Sequence, residues 1–186
     1  EHLLQQQLYR KFAETEVKPK AADMDEAEKY DVSIMDKMAK FGMLSIPFPK
    51  EDGGAGADTL SYVLCIEELA KVDASTATAC SVHTSLCTTA IGRFGTPEQK
   101  EKYYKPLASG KKYGCFGLTE PNAGTDAAGQ QTVAVKEGDH YVLNGAKIFI
   151  TNSGFSDIFL VFAMTDKSKG TKGISAFILE KGMPGF

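Results

Sequence analysis

Apolar residues recur at helical spacing through roughly the first three-fifths of the chain and then switch to a period of two. Leu4, Leu8 and Phe12 lie four apart, which predicts an amphipathic helix ending before Pro19, since proline lacks a backbone donor and crowds the preceding turn. A shorter helix starts at Ser33, a residue type suited to an N-cap. It runs through Ile34, Met35, Met38 and Phe41 to Gly42, which suits the left-handed position after a helix. Ile46-Pro-Phe-Pro49 and Gly53-Gly-Ala-Gly56 then form a turn-rich connector. Leu60 to Lys71 and Ser75 to Arg93 predict two longer, largely buried helices. Thr96, Pro97 and Gln99 supply N-cap, N1 and N3 in order for another helix ending near Gly110.

After Lys111 the runs are short and rich in β-branched and aromatic residues: Tyr113 to Thr119, Gln131 to Lys136, His140 to Leu143, Ala146 to Thr151, Ile158 to Met164 and Ile174 to Leu179. Glu137-Gly-Asp139 and Asn144-Gly145 are hairpin signals between them. The pattern predicts an α+β chain, with an all-α helical domain over residues 1–111 followed by an antiparallel β-domain over 112–186. No repeat or low-complexity segment interrupts it.

At 186 residues and 42% hydrophobic content the chain can bury a core. Its 24 acidic and 21 basic residues are dispersed, so the net charge of −3 points to neither nucleic acid nor a charged membrane surface. No apolar run is long enough to span a bilayer, and no secretory leader pattern opens the chain. Cys65, Cys80, Cys87 and Cys115 include no CxxC pair, which suits buried or free thiols in a reducing compartment.

The richest chemistry lies in Gly117-Leu-Thr-Glu-Pro-Asn-Ala-Gly-Thr-Asp-Ala-Ala-Gly129. Phe116 to Thr119 read as a strand end, and Pro121 and Asn122 break it. Gly124 lets a ligand approach bare backbone, and Thr119 and Thr125 add hydroxyl donors. Successive turn N–H groups of this kind favour an anion such as a phosphate. Asp126 is read as ordering its own turn, because a carboxylate beside a pyrophosphate is repelled, and Glu120 as structural in that turn.

That segment resembles the first motif of the acyl-CoA dehydrogenases, a small residue and an aliphatic before Thr-Glu, then two residues and small-Gly-Ser/Thr-Asp. Leu143-Asn-Gly-Ala-Lys-Ile-Phe-Ile-Thr-Asn152 is similar to the family's strand beside the flavin, with Phe149 where tryptophan is commoner, and Gly92-Arg-Phe-Gly-Thr-Pro-Glu-Gln-Lys100 also fits. The resemblance covers nearly the whole chain and is nearest to the short-chain, butyryl-CoA branch. It implies FAD, bound by Phe116, Gly117, Leu118, Thr119, Gly124 and Thr125, with Thr119 at the pyrimidine end and Thr125 at the pyrophosphate. Phe149, Ile150 and Thr151 would pass beside the isoalloxazine, with the Thr151 hydroxyl in reach of N5. For the acyl-CoA substrate it implies Thr125, Leu86 on a helix lining the acyl pocket, and Lys169 and Lys172 in the loop Asp166 to Gly173, where coenzyme A phosphates could be drawn.

The resemblance further implies α,β-dehydrogenation to a trans-2-enoyl-CoA, electron transfer to an electron-transferring flavoprotein, a homotetramer in the complete enzyme, and a bacterial cytoplasmic or mitochondrial matrix setting. The family's general base is a glutamate of a C-terminal helical domain. No segment here matches it, and both ends of the chain look cut, so the expectation is a fragment without a catalytic residue and without activity by itself. An acyl-CoA oxidase-type relative and a non-catalytic FAD-binding protein of the same fold are the alternatives. Two further patterns are read as structural. Cys80, His83 and Cys87 share a helix face, but seven residues of helix rise about 10 Å, too far for both thiols to reach one ion at about 2.3 Å each. Glu67, Glu68 and Lys71 are read as a solvated charge pair.

Overall fold

The computed structural model describes residues 1–186, and the chain divides into two compact units, Glu1–Tyr113 and Gly114–Phe186. The first is helical: α1 (His2–Phe12), α2 (Lys18–Glu26), α3 (Ser33–Lys40), α4 (Thr59–Ala70), α5 (Ala74–Ser81), α6 (Thr89–Phe94), α7 (Pro97–Gln99) and α8 (Lys105–Ala108). Its core is built on Val17, Ile34, Met35, Met38, Leu44, Leu69 and Leu107, all fully buried.

Three of these helices are joined to the next by a π-helical segment rather than by a loop. The predicted stop before Pro19 does not occur: Ala13–Val17 is π-helical, and the helix continues through the proline into α2. The same device, Lys100–Tyr104, precedes Pro106. A wider turn moves the carbonyl that a proline ring would strike and leaves no local acceptor waiting for its missing N–H. Between α5 and α6 the π segment is Val82–Thr88. There the hydroxyls of Thr88 and Thr89 donate to the carbonyls of His83 (2.7 Å) and Thr84 (2.8 Å), five residues back.

Side-chain roles on α1 also differ from the periodicity. Phe12 is buried, but Leu4 and Leu8 are 62% and 58% exposed. The face of α1 that meets α4 is polar instead: the guanidinium of Arg10 donates twice to Glu68 at 3.0 Å and the Gln6 amide once at 2.9 Å. Glu68 is therefore not a solvated residue. It is buried, and the Arg10 hydrogen bonds, with Lys71 at 2.8 Å and Gln6 helping, overcome burial and hold its carboxyl down at about 2. Glu67 and Lys71 do form the exposed pair, at 3.0 Å. Ser33 is not the N-cap of α3. Asp31 accepts from its backbone N–H at 2.9 Å, because a carboxylate two residues ahead reaches that donor. The capping box of Thr96 and Gln99 and the left-handed Gly42 are as expected.

The second unit is a sheet of β1 (Gly114–Gly117), β2 (Val133–Glu137), β3 (His140–Asn144), β4 (Ile158–Met164) and β5 (Ile174–Glu180). It is mixed rather than wholly antiparallel. β2–β3 and β4–β5 are antiparallel neighbours, whereas β1 runs parallel to β4 with Gly114 opposite Ile158 and Gly117 opposite Val161. The predicted strand from Ala146 to Thr151 is absent, and Asn144-Gly145 is not a hairpin. Gly145, at φ +153°, lies so close to Thr132 that a Cβ would stand 2.7 Å from its Cα, and from there the chain leaves the sheet toward the end of β1. That departure brings the two motif segments together.

Candidate functional site

The segment after β1 closes on itself in a tight turn. Glu120 and Ala123 exchange backbone hydrogen bonds at 3.1 Å in both directions, with Pro121 and Asn122 at the tip. Gly124 and Thr125 follow on the surface, and nothing lies within 4 Å of a Cβ built on Gly124, so an incoming group could meet the backbone there. Asp126 orders its turn through its backbone rather than its carboxylate: its carbonyl accepts from the Gly129 N–H at 3.1 Å, and its side chain caps nothing.

The second motif crosses this first one. The Ile148 N–H donates to the Thr119 carbonyl at 3.0 Å. The Lys147 ammonium donates to the Leu118 carbonyl (2.9 Å), to Glu120 Oε1 (2.8 Å) and to Gln130 Oε1 (3.2 Å). Glu120 also accepts from the backbone N–H groups of Gln131 and Thr132. The Lys147 and Glu120 side chains are only 9% and 5% exposed. Burial would push the Glu120 carboxyl up, but Lys147, the Thr132 side chain and the two backbone donors outweigh it and hold the group down at about 2. Glu120 is structural, as expected; its partner Lys147 is the residue that the sequence reading missed. The signal was there, a single lysine inside the apolar run from Ala146 to Ile150.

Phe149 is neither a core residue nor part of a strand. Its φ is +58° and it is 85% exposed. A left-handed aromatic residue pointing away from the fold is an outlier of the kind that clusters at ligand sites. Asn152 is also left-handed, at φ +70°, and its side-chain amide donates to the Gly114 carbonyl at 3.3 Å, tying the far end of the segment to β1.

Gly117, Phe149 and Ile150 share the lining of a cavity of about 870 Å³ within the β unit, with Cys115, Phe159 and Val161 on its sheet wall. Strand alternation sends Phe116 to the other face, where its ring packs against Phe162 at 5.0 Å. Of the residues expected around the cofactor, Phe116 thus offers only backbone on the cavity side. Leu118 and Thr119 use their carbonyls within the crossing. The hydroxyls of Thr119, Thr125 and Thr151 enter none of the chain's own hydrogen bonds and stay available.

The other expected substrate residues belong to other elements of the chain. Leu86 lies on the π segment Val82–Thr88 of the helical unit and is 40% exposed. Cys80, His83 and Cys87 on the same continuous helix are buried, and burial pushes the His83 ring down to about 4, so it is neutral at physiological pH. Lys169 and Lys172 are exposed on the loop between β4 and β5, with Lys169 paired to Asp166 at 3.1 Å.

Known proteins line up along this whole architecture. Residues 1–111 match the family model described as the acyl-CoA dehydrogenase N-terminal domain, and residues 115–186 match the acyl-CoA dehydrogenase middle domain. The short-chain specific acyl-CoA dehydrogenase of Clostridium acetobutylicum is 60% identical over the full chain, which corresponds to 49% of that protein. The structure of butyryl-CoA dehydrogenase from Megasphaera elsdenii superposes with a TM-score of 0.94 at 50% identity, over 99% of this chain and 49% of that one. A glutaryl-CoA dehydrogenase of Mycobacterium smegmatis, solved in complex with FADH2, superposes with a TM-score of 0.91 at 34% identity, over 100% of this chain and 46% of that one. The chain spans about half the length of the curated relatives it matches.

Proposed function

Since this chain belongs to the acyl-CoA dehydrogenase family, we propose that it forms the helical and β portions of an FAD-dependent enzyme that converts a short-chain acyl-CoA to the trans-2-enoyl-CoA. The observation that carries the reading is the crossing of the two motifs. It fastens the segment from which the Phe149 ring projects to the 118–120 stretch, which leads into the open backbone at Gly124 and the uncommitted Thr125 hydroxyl.

FAD, when bound, supplies a two-electron acceptor for the β-hydrogen of the thioester. The chain's own residues bind and orient. The turn after Glu120 offers N–H groups and the Thr125 hydroxyl to a pyrophosphate, and the Glu120 carboxylate that opens the turn is neutralised by Lys147. Phe149 and Ile150 offer apolar surface to an aromatic ring system, and phenylalanine in place of tryptophan keeps that surface while dropping an indole donor. Thr151 supplies a hydroxyl to the redox-active nitrogen. Leu86 limits acyl length, and Lys169 and Lys172 draw the phosphates of coenzyme A. The α-proton goes to a carboxylate base outside these residues, so the 186-residue chain by itself has no turnover, and electrons leave the complete enzyme to an electron-transferring flavoprotein.

The test is a pair of proteins, this chain and a version extended through its downstream coding sequence to the length of its relatives. The extended protein should carry a flavin and oxidise butyryl-CoA with an artificial electron acceptor, and the chain alone should not. Turnover by the chain alone would place a base within it and overturn that assignment. Rapid oxygen consumption during turnover would instead favour an oxidase.

A further inference from the structure

We propose that Lys147 is a positioning residue for the flavin, which it never touches: by clamping the turn of the first motif to the crossing segment, it fixes the direction in which Phe149 projects. The inference rests on the FAD reading above and adds a residue to it.

An ammonium has three donors, and here all three are spent on one target region, at Leu118, Glu120 and Gln130. One residue later, the Ile148 N–H is fixed on Thr119. The next residue is Phe149, left-handed and projecting. A non-glycine residue in that region of backbone space is strained and persists only where its surroundings over-determine it. On one side of Phe149 the surroundings are the Lys147 clamp and the Ile148 hydrogen bond. On the other side is Asn152: its side-chain amide donates to the Gly114 carbonyl, and its own carbonyl accepts from the N–H groups of Phe155 (3.1 Å) and Ser156 (2.9 Å).

Fold stability alone does not call for an ion pair at this place, because buried pairs are often replaceable by apolar residues without loss. A charge pair with fixed partners specifies register, and the register it specifies is that between the 118–120 stretch and the 147–149 stretch.

The test uses the extended, FAD-loaded protein and four variants: Lys147→Met, Lys147→Met with Glu120→Gln, Phe149→Ala, and Phe149→Ala with Lys147→Met. Melting temperature reports the fold, while the FAD dissociation constant and the visible circular dichroism of the flavin report positioning. Removing the stranded carboxylate in the Lys147/Glu120 double variant should recover most of the melting temperature lost in Lys147→Met, yet leave FAD binding about tenfold weaker with an altered flavin dichroism. If Lys147 acts through Phe149, adding Lys147→Met to Phe149→Ala should weaken binding by less than about threefold, since residues acting as one unit are not additive. Equal losses in the two backgrounds, or a folded double variant with unchanged affinity and dichroism, would overturn the proposal. Should Lys147→Met not fold, Glu120→Gln carries the same comparison. A wild-type protein that holds no FAD would instead overturn the cofactor reading, and the role of Lys147 with it.

Discussion

The ammonium of Lys147 lies 2.8 Å from the carboxylate of Glu120, and neither side chain is appreciably exposed. The pair joins two segments that are 27 residues apart in sequence, and each carries one motif of the family. A buried pair with this many satisfied partners is costly to break from one side: loss of either charge leaves the other uncompensated, at about 3–5 kcal/mol. Glu120→Gln should therefore lower the denaturant midpoint of the β unit at neutral pH by an amount equivalent to about 3 kcal/mol. An unchanged midpoint would mean that water or rearrangement replaces the contact.

The same carboxyl predicts an acid limb. In the folded chain Glu120 is held at about 2, below its ordinary value of 4.5. A depressed folded value contributes stability that is fully present above about 4.5 and is lost as pH falls through about 2. Near-ultraviolet circular dichroism against pH should show that loss in the wild type. Glu120→Gln should start less stable and show a shallower dependence over the same window. A wild type whose stability is flat from pH 5 to about pH 2 would contradict the assignment.

Gly145 should not tolerate a side chain. Besides its backbone angle, a Cβ would stand 2.4 Å from Thr132 Oγ1 and 2.7 Å from Thr132 Cα, and backbone cannot move aside as a flexible side chain can. Gly145→Ala should destabilise the β unit by about 1–3 kcal/mol and disturb the start of the crossing segment. Calorimetry of the two proteins decides it, and equal melting temperatures would show that this approach relaxes without cost.

In the extended enzyme Thr151→Val removes one hydroxyl at nearly constant volume. Losing such a hydrogen bond typically costs about 0.5–1.5 kcal/mol, which corresponds to up to roughly a tenfold slower flavin reduction. Stopped-flow reduction by butyryl-CoA reads this directly. An unchanged rate means that the Thr151 hydroxyl does not bond to the flavin.

Leu86 is half-exposed on a π-helical segment, so truncating it should cost the fold little while opening space. Leu86→Ala removes about three methylene-sized groups, each worth about 0.8 kcal/mol when buried against a ligand. The ratio of kcat/KM for hexanoyl-CoA to that for butyryl-CoA should rise. A constant ratio would remove Leu86 from the acyl pocket.

Much of this architecture was legible before any coordinates. The change of period near Lys111, the capping box at Thr96 and the glycine stop at Gly42 are local signals, and local signals read well. What failed depended on distant partners. The apolar run from Ala146 to Ile150 has strand propensity, but its N–H at Ile148 bonds to Thr119 outside any ladder, so the segment crosses rather than pairs. Leu4 and Leu8 have the spacing of a buried stripe, yet α1 turns its polar face to Glu68 because the Arg10 and Gln6 donors satisfy a carboxylate there. Pro19 reads as a helix stop only under α-helical geometry, and one wider turn removes the conflict. The two motif segments stand out in the sequence, but the lysine that joins them was passed over, because a lone lysine carries no spacing pattern of its own.

The central claim is that the crossing in the β unit serves a flavin that oxidises a short acyl-CoA. Anaerobic addition of butyryl-CoA to the extended protein, followed by its visible spectrum, tests it most directly. The account predicts a flavin absorption band that bleaches with formation of the matching enoyl-CoA. A protein that holds FAD and keeps its oxidised spectrum in the presence of excess butyryl-CoA would contradict it.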